Sequence, residues 1–157
     1  DLHKKFNVQE KIKYDNADAV NLKYDSETFD IVIMKSVLGS VGKNDNKKNQ
    51  EIAVREIHRV LKTGGVFLFA ENAEASFLHS EARKFFRKWA SYWRYLTKNE
   101  MDGMLQIFSE RKIYTFGFLS AFAPGDFIKK MIYHLDKIIS RITPSSSHYI
   151  IYGYAKK

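Results

Sequence analysis

The sequence of 157 residues contains no cysteine, which excludes disulfide scaffolds, thiolate-bound zinc and cysteine nucleophiles together. It shows no internal repeat and no low-complexity linker. No charged segment followed by an apolar one opens it, so no signal peptide is expected. Its long uncharged runs, such as 113–125, are too short and too interrupted to cross a bilayer. The five histidines (His3, His58, His79, His134, His148) never stand at a ligand spacing such as His-x-x-x-His, and no metal is expected. What is present argues for a packed core. Hydrophobic residues make up 45% and aromatics 15%, which excludes a disordered chain. The length suits one domain, 1–157, better than two. Nothing in the composition asks for an oxidising compartment, and the expected location is cytoplasmic.

The net charge of +8 is unevenly placed. Residues 1–78 carry 12 basic and 12 acidic side chains, residues 79–157 carry 14 and 6, so the whole excess lies in the second half. That permits an anionic partner such as phosphate, nucleic acid or a membrane surface. A solvated helix face is the favoured reading of any single charge run.

Local patterns predict an α/β chain. Lys11 to Asp18 reads as a short strand. Phe29 to Met34 is a near-continuous apolar, β-branched run, as in a strand buried on both faces of a parallel sheet. From Asn49 to Lys62, Ile52, Ala53, Ile57, Val60 and Leu61 recur at helical spacing, with Gly64-Gly65 as the stop and Val66 to Ala70 as the next buried strand. Strand, helix and strand within about 40 residues make a βαβ unit, hence a mostly parallel sheet. A basic aromatic helix is expected over roughly 76–95. Thr97 and Glu100 form a capping box opening a helix to about Glu110. A strand over Lys112–Leu119, a helix from Pro124 to Arg141 and a closing strand over His148–Ala155 complete the reading. Residues 76–110 thus form a helical segment and 124–141 an inserted helix.

Two segments carry a resemblance. Asn16-Ala17-Asp18-Ala19, followed after about ten residues by Phe29-Asp30-Ile31-Val32-Ile33, resembles the third and fourth strands of class I S-adenosylmethionine-dependent methyltransferases. Glu56-Ile57-His58-Arg59-Val60-Leu61-Lys62-Thr63-Gly64-Gly65-Val66-Phe67-Leu68 is similar to that family's helix into its fifth strand, with Thr63 where proline is habitual. The resemblance implies a doubly wound, Rossmann-like sheet with an antiparallel last strand and helices on both faces. It implies S-adenosylmethionine as cofactor and the strand order 29–34, 66–70, 148–155, 112–119. The family's glycine-rich cofactor loop has no match, since the eight glycines never form Gly-x-Gly. The chain therefore reads as the C-terminal portion of such a domain. An unpaired 29–34 edge then implies either a second copy at that edge or residues 1–24 folded back beside it.

By resemblance, Asp18 accepts a hydrogen bond from the adenine amino group, with Ala17 and Ala19 small against the base; an Asp capping its own turn is the alternative. Lys35 and Ser36 border the cofactor at the carboxyl end of a strand, where open α/β sheets place ligands; an exposed loop lysine is the plainer reading of Lys35. Leu38, Asn72, Tyr92 and Trp93 are implied as substrate contacts. Glu71 could take the acceptor's proton as a general base, or could cap a helix. Phe85, Phe86, Trp89, Tyr92, Trp93 and Tyr95 form one helical stripe, read as packing or as a lid. The helix 124–141, apolar on one face and basic on the other, can cover a pocket, pair with a copy or rest on a membrane; packing on its own domain is the commonest outcome for such a helix.

The expected function is methyl transfer to a small-molecule, sugar or lipid-linked acceptor, incomplete in this chain. The rivals are a non-catalytic binding or scaffold module and an RNA methyltransferase fragment, nucleic acid being the less favoured partner.

Overall fold

The computed structural model describes residues 9–77, 79–81, 92–120 and 125–157. Among the described residues the main elements follow in chain order: β1 Phe29–Lys35, α1 Leu38–Val41, α2 Lys47–Val60, β2 Leu61–Asn72, α3 Lys98–Met104, β3 Glu110–Phe116, α4 Gly125–Ile142 and β4 Ile150–Lys156. The sheet order is β1-β2-β4-β3. β1 and β2 are parallel, with Ile31 opposite Val66 and Lys35 opposite Ala70. β4 runs antiparallel to both β2 and β3, so three strands share one direction and only the last is reversed. This is the order expected from sequence.

α2 forms because its N-terminus is closed by Asn46, whose side chain accepts from the Asn49 N–H, and because its apolar residues fall on one stripe. Ala53, Val54 and Ile57 from that stripe meet Phe67 and Phe69 of β2, Ile151 and Ala155 of β4, and Met101, Leu105 and Phe108. Phe67 lies at the centre, stacked on Phe108 with ring centroids 6.1 Å apart. Burying a ring of that size is worth about 2–3 kcal/mol. The capping box at α3 is present as expected: Thr97 accepts from the Glu100 N–H and the Glu100 carboxylate accepts from the Thr97 N–H.

The helices packed on this core lie on one face of the sheet. On the other face Ile31, Ile33, Leu68, Tyr114 and Tyr152 are exposed, with Tyr114 and Tyr152 stacked at 5.5 Å. The expectation of helices on both faces is therefore met on one face among the described residues. β1, read as buried on both sides, buries Met34 and half-buries Val32 while Ile31 and Ile33 face outward.

Several boundaries differ from the sequence reading. Lys11–Asp18 is not a strand; beyond a short turn at Gln9–Lys11, only Asp18 makes an isolated bridge, to Asn21. No neighbouring strand offers it a ladder. The chain meets α2 just after it: the Leu22 N–H donates to Glu56, and Arg59 donates to the carbonyls of Leu22 and Tyr24 at 2.8 Å each. Residues 9–24 accordingly do not pair beside β1. The helix expected over 76–95 does not extend through 92–97, where Leu96 bridges Ala73 and the Arg94 N–H donates to Gly39 O. Phe85, Phe86, Trp89 and Pro124 lie outside the described residues. α2 ends at Val60, so Gly64-Gly65 is not its stop. The pair sits in a bulge of β2, where Gly64 (φ +80°) and Gly65 exchange backbone hydrogen bonds with Lys157.

Candidate functional site: the carboxyl-end rim of β1 and β2

The parallel strands β1 and β2 end side by side, and both run into backbone that non-glycine residues rarely adopt. Ser36 (φ 55°) follows β1 and Ala75 (φ 63°) follows β2. Left-handed backbone at such residues costs about 1–3 kcal/mol and persists only where surrounding bonds over-determine it. At Ser36 those bonds are identifiable. Its N–H donates to Ala70 O at 2.9 Å, extending the ladder one residue, and its hydroxyl accepts from Asn72 Nδ2 at 3.2 Å. Two of the residues implied for the site, Ser36 and Asn72, are thus held together across the strand ends.

Glu71 lies beneath them with 2% of its surface exposed. Its carboxylate accepts from the Val37 N–H at 2.9 Å and the Leu38 N–H at 3.2 Å, at the entry to α1. Burial pushes this carboxyl above the usual carboxylate range, against the backbone N–H groups of Val37, Leu38 and Gly39, which favour its charge. Of the two roles left open by the sequence, the geometry gives Glu71 the cap. Both oxygens are engaged and sealed from solvent, and what they do is fix the backbone of the 36–39 turn. Leu38 has no exposed surface and packs in the core, so it does not line the rim; one helical turn after a strand end, an apolar residue is drawn inward.

Gln50, fully buried, holds the same turn from the other side. Its Nε2 donates to Leu38 O at 2.8 Å and Arg94 O at 3.0 Å, while its Oε1 accepts from Arg94 Nη1 at 2.9 Å. Arg94 also donates to Asp45 at 3.0 Å and pairs with Glu100. Sequence reasoning passed over this network, although a glutamine inside an apolar helical stripe was its available signal. Trp93 packs on Gly39, where an added Cβ would meet its ring at 3.2 Å. Tyr92 is exposed, with the Lys43 ammonium 5.8 Å from its ring centre. Lys35 is exposed at the end of β1. Asp18 is exposed and accepts from the Val20 N–H at 3.1 Å, closing its own turn. Ala17 is exposed, and Ala19 is half-buried against the core. The structure thus brings Ser36, Asn72, Glu71 and Trp93 around one turn and leaves Asp18 in a separate one.

A second polar cluster fastens α4 to the end of β3. Asp136, fully buried, accepts from the N–H groups of Phe118 (2.8 Å), Leu119 (2.7 Å) and Ser120 (3.2 Å) and from the Ser120 hydroxyl. Burial alone would raise its pKa, but these bonds offset it and hold the carboxyl below the usual range. Thr143 Oγ1 donates to Ile139 O, so at 3.0 Å it accepts from His148 Nε2–H, leaving Nδ1 to accept from Thr115. Burial pushes the His148 imidazole below its ordinary value. Among the described residues no group of three or more His, Asp or Glu is placed to hold a metal, and no helix is long and apolar enough to cross a membrane.

Comparison with known proteins bears on this arrangement. A family model described as a methyltransferase domain matches residues 1–69. No curated protein matches the chain in sequence. Among solved structures, a protein from Thermotoga maritima described as an S-adenosylmethionine-dependent methyltransferase and possible histamine N-methyltransferase aligns at 21% identity. Its TM-score is 0.59, with 88% of this chain and 61% of that one covered. An S-adenosylmethionine-dependent methyltransferase from Archaeoglobus fulgidus aligns at 11% identity with TM-score 0.62, covering 95% and 69%. The [4+2]-cyclase SpnF aligns at 17% identity with TM-score 0.58, covering 99% and 59%. The chain spans about three fifths of the length of the Thermotoga protein and of SpnF. With three co-directional strands, a reversed strand inserted second from the edge, and these likenesses, the chain has the class I S-adenosylmethionine-dependent methyltransferase fold.

Proposed function

We propose that this chain takes part in S-adenosylmethionine-dependent methyl transfer to a small-molecule, sugar or lipid-linked acceptor. The observation that carries the reading is the pair of left-handed, non-glycine residues Ser36 and Ala75 at the carboxyl ends of adjacent parallel strands. Open α/β sheets bind ligands there, and strain concentrates at such places.

The residues present fit one end of the cofactor. Asp18 spends Oδ1 on its turn, and a carboxylate keeps capacity for a further donor such as the adenine amine. Ala17 and Ala19 are small beside it, and Lys35 and Ser36 border the strand end. Nothing in the sequence has the Gly-x-Gly form that would cradle the methionine end. When bound, the cofactor supplies an electrophilic methyl group for in-line transfer, a reaction accelerated mainly by alignment. The chain's own contribution is then positional. Glu71 and Gln50 lock the 36–39 turn from opposite sides, while Asn72, Tyr92 and Trp93 offer polar and aromatic surface to an acceptor.

One solved relative in fold is a [4+2]-cyclase, which keeps a second reading in play: a binding module with this fold that transfers no methyl group. Calorimetric titration with S-adenosylhomocysteine tests whether this chain holds the cofactor, and transfer of a labelled methyl group from S-adenosylmethionine separates the two readings. Methyl transfer predicts saturable binding weaker than low-micromolar, reduced about tenfold by Asp18→Ala through loss of a charge-assisted hydrogen bond. No binding at millimolar ligand, or binding indifferent to Asp18→Ala, sinks the assignment of this chain to the cofactor.

A further inference from the structure

α4 is amphipathic in sequence but is set on the domain back to front. Its inward side carries hydrogen-bonding groups beside the half-buried Ile132 and Ile139: Asp136 holds the 118–120 turn, Ser140 Oγ accepts from the Gly117 N–H at 3.1 Å, and Thr143, just past the helix, joins His148. Its outward stripe is apolar. Phe127, Met131, Leu135, Ile138 and Ile142 recur at spacings of four, four, three and four, which places them along one side of a helix about 27 Å long. They are 75%, 67%, 56%, 57% and 79% exposed. An ordinary surface helix turns such a stripe inward; this one spends its inward side on hydrogen bonds.

The charges beside the stripe say what could cover it. Lys130, Lys137 and Arg141, with His134 among them, lie along one flank and are exposed. The one carboxylate in the body of the helix, Asp136, is buried on the opposite side. Among the described residues no carboxylate forms an ion pair with Lys130, Lys137 or Arg141. A second copy of α4 laid along the stripe would bring two sets of these cations to the same seam, which like-charge repulsion opposes. An anionic surface with an apolar interior meets both features at once. We infer that α4 is an interfacial helix that docks this chain on a bilayer containing anionic lipid. The five apolar side chains enter the headgroup–acyl boundary, and Lys130, Lys137 and Arg141 lie against the headgroups. The helix rests in the plane of the membrane and does not span it, consistent with its mixed composition.

The experiment is co-sedimentation of the full 157-residue chain with phosphatidylcholine vesicles, with and without about a third phosphatidylglycerol. Binding is expected to the anionic vesicles, to weaken several-fold between about 0.1 M and about 0.5 M salt, and to be far weaker on neutral ones. The doubly substituted Met131→Glu/Ile138→Glu chain should lose binding at least tenfold. Both positions are exposed, so its circular dichroism and melting temperature should match the parent. Lys130→Gln/Lys137→Gln/Arg141→Gln should also lose at least tenfold, each cation near an anionic surface being worth about fivefold. Ile33→Glu, on the open sheet face, should bind as the parent does and so excludes that face as the contact. Four results overturn the inference: no binding to anionic vesicles, equal binding to neutral ones, binding retained by Met131→Glu/Ile138→Glu, or a dimer in sedimentation equilibrium that this variant dissolves.

Discussion

Glu71→Ala is the sharpest test of how the rim is held. The substitution removes the acceptor for the Leu38 N–H, which is buried, and for the Val37 N–H, which is half-buried. A buried donor left without a partner costs about 1–3 kcal/mol, and water reaches the second only in part, so about 2–4 kcal/mol is expected for the pair. For a chain of this length that is a fall in melting temperature of about 6–12 °C. Glu71→Gln keeps the volume and one acceptor oxygen but presents an NH2 group to the second N–H, and should lose about half as much. The pH dependence supplies an independent check. Because burial raises the Glu71 pKa in the folded state, the stability linked to its protonation is fully present below the unfolded value of about 4.5 and is lost as pH rises through the folded pKa. The deficit of Glu71→Gln against the parent should therefore widen toward acid. Urea unfolding of the three proteins between neutral pH and about pH 4.5 measures all of this. A Glu71→Ala chain within about 0.5 kcal/mol of the parent would refute the capping argument, and a deficit that narrows in acid would refute the dominance of burial over the cap's hydrogen bonds.

Two further outcomes follow from the packing. His148 and His58 both sit below their ordinary pKa through burial, so stability should be full above about pH 6.5 and fall as the solution is acidified through the folded values; His148→Gln should remove part of that slope, and an unchanged slope counts against it. Gly153→Ala places a Cβ 2.0 Å from the Lys112 carbonyl oxygen and 2.9 Å from Phe69 Cζ, and should cost about 3 kcal/mol or more; a melting temperature within a few degrees of the parent would show that β3 and β4 can separate to admit a methyl group.

The elements legible in the sequence were those whose signal is local. The Thr97–Glu100 box, the α2 stripe and the β-branched run at Phe29–Met34 each encode their own conformation, and the order of strands followed from the resemblance. The misread elements depend on neighbours. Lys11–Asp18 has no strand beside it to offer a ladder, and the chain is tied to α2 only further on, where Leu22 and Tyr24 meet Glu56 and Arg59. The α4 stripe was plain in the sequence, but periodicity cannot say which side of a helix turns inward; hydrogen bonds at Asp136 and Ser140 decided it. At the site, Ser36 and Asn72 were found at the predicted strand ends, whereas Gln50 and Arg94, 44 residues apart, meet only in three dimensions.

The position of β4 also governs when this sheet can form. It is the last of the described strands in sequence yet lies between β2 and β3, and its partners in β2 are distant: Asn72 meets Ile150, and Val66 meets Lys156. A chain emerging from a ribosome therefore exposes open edges on both β2 and β3 until residues 150–156 are released, and only then can the two halves of the core, Phe67 with Ile151 and Ala155, close on one another. Contacts of such long range fold slowly and leave apolar strands available to other chains meanwhile. The seven residues of β4 set the moment at which the edges of β2 and β3 are covered.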